Sequence, residues 1–200
     1  MKNVWLWIAA GVGLMVWAAA SAMAVGSKAA VLAAIRPKYW GDVKVSGWKW
    51  GAATPDERKA NVQTIIDVFT ENGIPPAITL AAIVNAYAES GWNANAVGDG
   101  GHSIGLFQLN DWGAGKGIDK ELRKDPRVNA QTIIDVELGK THWAGKHVWE
   151  AFESGATVPQ LAYQFCYWIE RPKDKVGEAT KRKHRAEQMF QAVPAATGVA

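Results

Sequence analysis

Glu89 closes an apolar helical stretch and stands two residues before a glycine, in Ala88-Glu89-Ser90-Gly91-Trp92. A helix carboxyl terminus carries partial negative charge, and a lining of alanine and tryptophan desolvates. A carboxyl group placed there is expected to keep its proton. A neutral carboxylic acid near pH 7 is what acid-catalysed cleavage of a glycosidic bond uses. Read alone, Glu89 fits an ordinary surface glutamate at a helix end better. The glycine-rich stretch from Gly98 to Asn110 changes that balance. Its glycines let the backbone turn sharply and come close to a ligand. Within it Ile104, Leu106 and Leu109 can anchor the segment, Gln108 and Asn110 present amides, and Asp99 can come to lie beside Glu89.

Helices must position these groups. Thr54 reads as a cap followed by Pro55, with Asp56 and Glu57 in the first turn. Val62, Ile65, Ile66 and Phe69 follow at helical spacing, and Gly73 stops the run. A second helix runs from Pro76 to Gly91 on the stripe Leu80, Ile83, Val84, Tyr87. Glu89 lies about 180° from Leu80 at 100° per residue, on a side with Ala82, Asn85 and Ala86 that should leave room above the carboxyl. Residues 91–117 read mostly as loop, with a short ordered piece at 104–109. A third helix starts at Asp125-Pro126 and runs to about Leu138, and a fourth covers His142 to Phe152. A fifth is capped by Thr157 and buries Leu161, Ala162, Phe165 and Trp168. A basic helix from Arg171 to Phe190 ends the domain, its seven Lys and Arg residues through Arg185 read as a solvated face. Asn61–Val68 and Asn129–Val136 share NxQTIIDV, read as two similar helix faces and not a duplication.

Ala88-Glu89-Ser90-Gly91-Trp92 followed by Gly105-Leu106-Phe107-Gln108-Leu109 resembles the lysozyme superfamily. It is similar above all to the lytic transglycosylase and goose-type lysozyme branch and to phage virion lysozyme domains. The resemblance covers roughly residues 55–190 and is strongest over 76–113. It implies an all-α, lysozyme-like fold with a small β element. It makes Glu89 the catalytic acid and Asp99 the aspartate near an attacking water. Ser90, Gln108 and Asn110 become substrate-binding residues. Asn110 stands where goose-type enzymes carry a second aspartate, which weakens a full carboxylate set. Tyr163 matches a late tyrosine of transglycosylases, although Ala162-Tyr163-Gln164 departs from their motif. Glu170-Arg171-Pro172 is similar to a phage lysozyme motif expected to make a structural salt bridge. Trp92 and Trp112 flank the cleft in sequence, as sugar-stacking platforms or as core. The implied reaction is cleavage of the β-1,4 bond between N-acetylmuramic acid and N-acetylglucosamine, by hydrolysis or with a 1,6-anhydro product. The other reading is a non-catalytic glycan-binding or structural module that kept the fold.

Composition bounds the rest. The chain has 200 residues, 48% hydrophobic and 20% charged, which excludes disorder. A single cysteine, Cys166, excludes an internal disulfide framework and a CxxC site, and it reads as a buried apolar residue. No metal or organic cofactor is implied. His142 and His147 are five apart, off one helix face, and His102 reads as a solvated loop histidine. A net charge of +3 gives no ground for nucleic-acid binding. The 11 tryptophans suit sugars, membranes and cores alike.

Val4 to Val25 are 22 uncharged residues, long enough to cross a bilayer as a helix. They read as a permanent anchor, as a signal peptide cleaved at Ala22-Met23-Ala24, or, with Ala, Gly and Ser at 10 of the 22 positions, as a weakly hydrophobic segment that leaves the membrane again. The expected organisation is a transmembrane anchor at 1–27, a connector at 28–54, the catalytic domain at 55–192 and a flexible tail at 193–200. The expected partners are peptidoglycan strands, a membrane through the first helix and other virion proteins. The expected location is a membrane anchor in a phage virion or in the bacterial inner membrane facing the periplasm.

Overall fold

The structure is a computed structural model that describes residues 34–40 and 53–190, together with residue 32. It is mostly helical with one small sheet. Helix α1 spans Pro55–Glu71. Its start is a reciprocal cap: Glu57 N donates to Thr54 Oγ1 at 3.2 Å, and Thr54 N donates to the Glu57 carboxylate at 2.7 Å. Helix α2, Pro76–Ser90, ends at Gly91, whose φ of 61° is the left-handed conformation that glycine adopts without a Cβ penalty.

Helix α2 is the centre of the molecule. Every residue from Ile78 to Ala86 is buried, as expected of a helix apolar on all sides. The side carrying Ala82, Asn85 and Ala86 is therefore not open, contrary to the sequence expectation. Its small residues let helix α5, Val158–Phe165, approach closely. Asn85 Nδ2 donates across that contact to Ala162 O at 3.2 Å.

Between α2 and the later helices lies a three-stranded antiparallel sheet: β1 Val97–Gly98, β2 Ser103–Ile104 and β3 Leu109–Asn110. Its register pairs Gly98 with Ser103 and Ser103 with Asn110, so these three form one row. Ile104 and Leu109 form the alternate row and are buried.

Helix α3 spans Pro126–Ile133 and runs on through a π-helical turn, Ile134–Leu138. Helix α4 spans Gly145–Glu153. Helix α5 also runs on through a π turn, Cys166–Glu170. Helix α6 is Lys175–Met189, four residues shorter at its start than the sequence suggests, with Asp174 as its cap. The two NxQTIIDV copies lie on α1 and α3 and make the same internal bond: Gln63 to Asp67 at 3.0 Å and Gln131 to Asp135 at 2.8 Å.

Residues 34–40 pack on this domain. Ile35 pairs with Phe190, Tyr39 sits edge-on to Tyr87, and Trp40 lies on Trp92. The uncharged stretch read as an anchor, most of the connector and the tail at 193–200 lie outside the described residues. Among the described residues no helix is long and apolar enough to cross a membrane.

Candidate active site

Two hollows meet at Glu89. One has a volume of about 360 Å³ and the other about 390 Å³, and Glu89, Asp99, Ser103 and Gln108 line both. The first extends past Asn110 toward Glu137, Glu170 and Arg171. The second extends along Ala96, Val97 and Gly98. An open groove that continues on both sides of one carboxyl suits a polymer cut in its middle.

The end of α2 is fixed from several sides. The Ser90 hydroxyl shares its proton between Ala86 O at 2.9 Å and Leu106 O at 2.8 Å. It ties the loop to the helix and is buried, so the structure makes it a brace and not a substrate contact. Trp92 takes the core reading of its two. It is 0% exposed, donates from Nε1 to Ile83 O at 2.8 Å, and accepts from Asn61 Nδ2 at 2.8 Å. A buried indole with its one donor satisfied offers no face to a sugar. Its role is to lock the turn that follows Glu89.

Gln108 and Asn110 do face the groove. Gln108 Nε2 donates to Ala96 O and Gly105 O, holding β1 against the β2–β3 turn. Asn110 Nδ2 donates to Asp99 Oδ2 at 3.1 Å and Ser103 Oγ at 3.0 Å. Asn110 therefore orients Asp99, an exposed carboxylate that lines both hollows.

Asp99, Gln108 and Arg171 line the groove with positive φ values of 50°, 48° and 52°. Non-glycine residues rarely adopt this region, and such strain gathers at functional sites.

Trp112 is 70% exposed, with its ring 4.4 Å from His102. It lies two residues after Asn110 and one before Gly113, both of which line the first hollow. Tyr163 does not join the site. It stacks on Tyr167 and is not among the residues lining either hollow. The face of α5 turned inward carries Leu161, Ala162 and Phe165 instead. His102 is not a free loop histidine either. Its Nδ1 lies 2.8 Å from Asp111, which also meets Arg123 at 2.6 Å and Lys120 at 3.3 Å. The His102 bond, then those of Arg123 and Lys120, hold the Asp111 carboxyl well below the usual range.

The largest surprise is Arg182. The basic helix α6 turns this side chain inward, 7% exposed, and its Nη2 donates to Glu89 Oε1 at 2.7 Å. The same Nη2 lies 3.4 Å from Glu170, and Nη1 donates to Glu178 at 3.1 Å. Glu89 is thus not isolated in an apolar lining, as its sequence neighbours suggested. Burial opposes the charge on Arg182, but Glu170 and Glu89 outweigh it and raise its pKa. Burial first, then the Glu89 charge, push Glu170 well above the usual carboxylate range. Burial also raises the Cys166 thiol, beside Glu170. The signal for Arg182 was present in the sequence. Ala179, Arg182, Ala186 and Met189 form one buried helical stripe.

Both π turns deliver carboxylates to the first hollow, Glu137 from α3 and Glu170 from α5. Inserted π turns recur at functional sites. Glu137, missed in the sequence, pairs bidentately with Arg171 at 2.9 and 3.0 Å. The salt bridge expected of Glu170-Arg171-Pro172 thus takes two forms, one from each charged residue.

The model of one protein family, described as phage tail lysozyme, matches residues 60–193. The chain belongs to the phage tail lysozyme family. The match spans both hollows, the sheet and all six helices except the first turn of α1. No curated protein and no solved structure gives a significant match to the chain. The lysozyme domain thus carries its candidate acid at the end of a central helix and its amide-bearing loop on a minimal sheet.

Proposed function

We propose that this phage tail lysozyme domain cleaves peptidoglycan at the β-1,4 bond between N-acetylmuramic acid and N-acetylglucosamine, as part of a virion opening the cell wall. The observation that carries the reading is the position of Glu89, at the junction of two hollows, on the end of a buried helix. Family membership supplies the substrate class. Glu89 gives its proton to the glycosidic oxygen as the bond to C1 breaks. Water attacks C1, and Asp99 takes the proton that the water releases. Asn110 keeps Asp99 turned into the groove. An exposed second carboxylate, Asp99, in the same groove as Glu89 favours hydrolysis over a 1,6-anhydro product.

The test is the rate of release of soluble fragments from purified peptidoglycan by the full chain and by Glu89→Gln. The isosteric amide should lower the rate by about 10²–10⁴-fold, the usual contribution of a general acid. An unchanged rate would sink the assignment of Glu89. Binding to sacculi without any release by the unaltered chain would favour a non-catalytic module.

A further inference from the structure

Glu89, Asp99, Glu137 and Glu170 all line the first hollow, and their counter-ions are unequally shared. Glu137 has Arg171 to itself in a bidentate pair, with His142 Nδ1 a further 3.9 Å away. Asp99 is exposed and held by an amide. Glu178, the outermost carboxylate on Arg182, has Lys181 at 2.6 Å as a second cation. Among the described residues, the ion pairs of Glu89 and Glu170 are both to one guanidinium, that of Arg182. A single nitrogen, Arg182 Nη2, reaches both, at 2.7 and 3.4 Å. Glu170 is 9% exposed, and its Oε1 is buried without a hydrogen-bond partner among the described residues. If both carboxyls were ionised, the three groups would hold a net negative charge, with Glu170 and Arg182 largely out of water. Two acids that share one counter-ion retain one proton between them.

We propose that Glu170 is a positioning residue that keeps one proton on the Glu89–Glu170 pair, so that Glu89 has it to give to the leaving oxygen. The proposal rests on Glu89 being the catalytic acid. At rest the proton sits on the more buried Glu170, and Glu89 is the anion facing Arg182. As the glycosidic oxygen reaches Glu89, the proton passes to Glu89 and Glu170 becomes the anion on the same Nη2. The three groups stay neutral until the proton leaves for the sugar oxygen. The proton that the attacking water gives to Asp99 returns to the pair through solvent and restores the starting state. The other groups facing the pair are the neutral Cys166 thiol on the π turn of α5, and the Glu137–Arg171 pair across the hollow.

The test is the pH dependence of kcat/KM on purified peptidoglycan for the full chain, Glu170→Gln, Glu170→Asp and Glu89→Gln. With an amide at 170, Arg182 Nη2 faces Glu89 alone, Nη1 keeps Glu178, and no second acid at the site holds the shared proton. The alkaline limb of the Glu170→Gln profile should therefore move down by about one pH unit or more. Glu170→Asp keeps a titrating group, and its limb should lie nearer the original. A purely structural Glu170 would instead lower the rate at every pH and leave the limb in place. If Glu170→Gln does not fold, a carboxyl-carbon NMR titration of Glu89→Gln decides. Loss of the Glu89 charge should lower the Glu170 titration midpoint, and an unmoved midpoint would overturn the pairing. An inactive Glu89→Gln with an unmoved limb in Glu170→Gln defeats this inference alone. A fully active Glu89→Gln defeats the reading of Glu89 beneath it.

Discussion

At the scale of residues, the site depends on Arg182, which meets three carboxylates on α2, α6 and the π turn of α5. Its cost falls on Glu170. A carboxyl raised by burial binds its proton more tightly folded than unfolded, so its share of stability is present below the unfolded value. That share is lost as pH rises through the folded one. Glu170→Gln removes this loss. The variant should melt at or above the temperature of the unaltered chain at pH 7, with the gap closing toward pH 4, as followed by circular dichroism. A clearly lower melting temperature at pH 7 would contradict the burial argument. The place of Glu89 at the groove was legible in the sequence because a helix-ending Glu-Ser-Gly precedes an amide-bearing loop. Trp92 was ambiguous because indole suits both cores and sugars, and only packing decides. Arg182 was misread because seven basic residues in one segment suggest a solvated face. Its stripe with Ala179, Ala186 and Met189 was the better guide.

At the scale of elements, the loop over the groove is pegged to α3 by Asn129. This buried side chain accepts from Phe107 N at 2.9 Å and donates to Ile104 O and Arg123 O at 3.0 and 2.8 Å. Asn129→Ala would strand three buried backbone groups, at about 1–3 kcal/mol each when unmet. A loss of roughly 3 kcal/mol or more in urea unfolding is expected, and one below about 1 kcal/mol would show that the loop is held elsewhere. Gly105 sits against the same amide with φ +85°, where an added Cβ would meet both Asn129 and the Arg123 carbonyl. Gly105→Ala should therefore damage folding as much as catalysis, read by the same melt. The helices were legible from cap-proline pairs at Thr54-Pro55 and Asp125-Pro126 and from stripes of buried residues. The π turns were not, because an i→i+5 bond leaves no pattern in residue type. The small β element came from the resemblance and is present; its strands were not legible from the residues, since two residues are too few to alternate.

At the scale of the whole molecule, helices close around α2, and the groove forms where its end meets the sheet and the two π turns. Residues 34–40 are joined to the end of α6 through Ile35 and Phe190. The outer edge of the sheet is held by Asp111 with His102, Arg123 and Lys120. A depressed carboxyl contributes stability above its unfolded value and loses it as pH falls through the folded one. Asp111→Asn should thus lower the melting temperature at pH 7, with the difference shrinking below about pH 4. An equal deficit at all pH values would assign the loss to packing. The sequence resemblance to phage lysozyme domains agrees with the family match over residues 60–193. The central claim is that Glu89 protonates a glycosidic bond in a groove that holds sugar on both sides. Mass spectrometry of the fragments released from purified peptidoglycan by the full chain, with Glu89→Gln as the blank, tests it most directly. The account predicts disaccharide-peptides ending in a reducing N-acetylmuramic acid, and none from the variant. Fragments cut in the peptide, or the same products from Glu89→Gln, would contradict it.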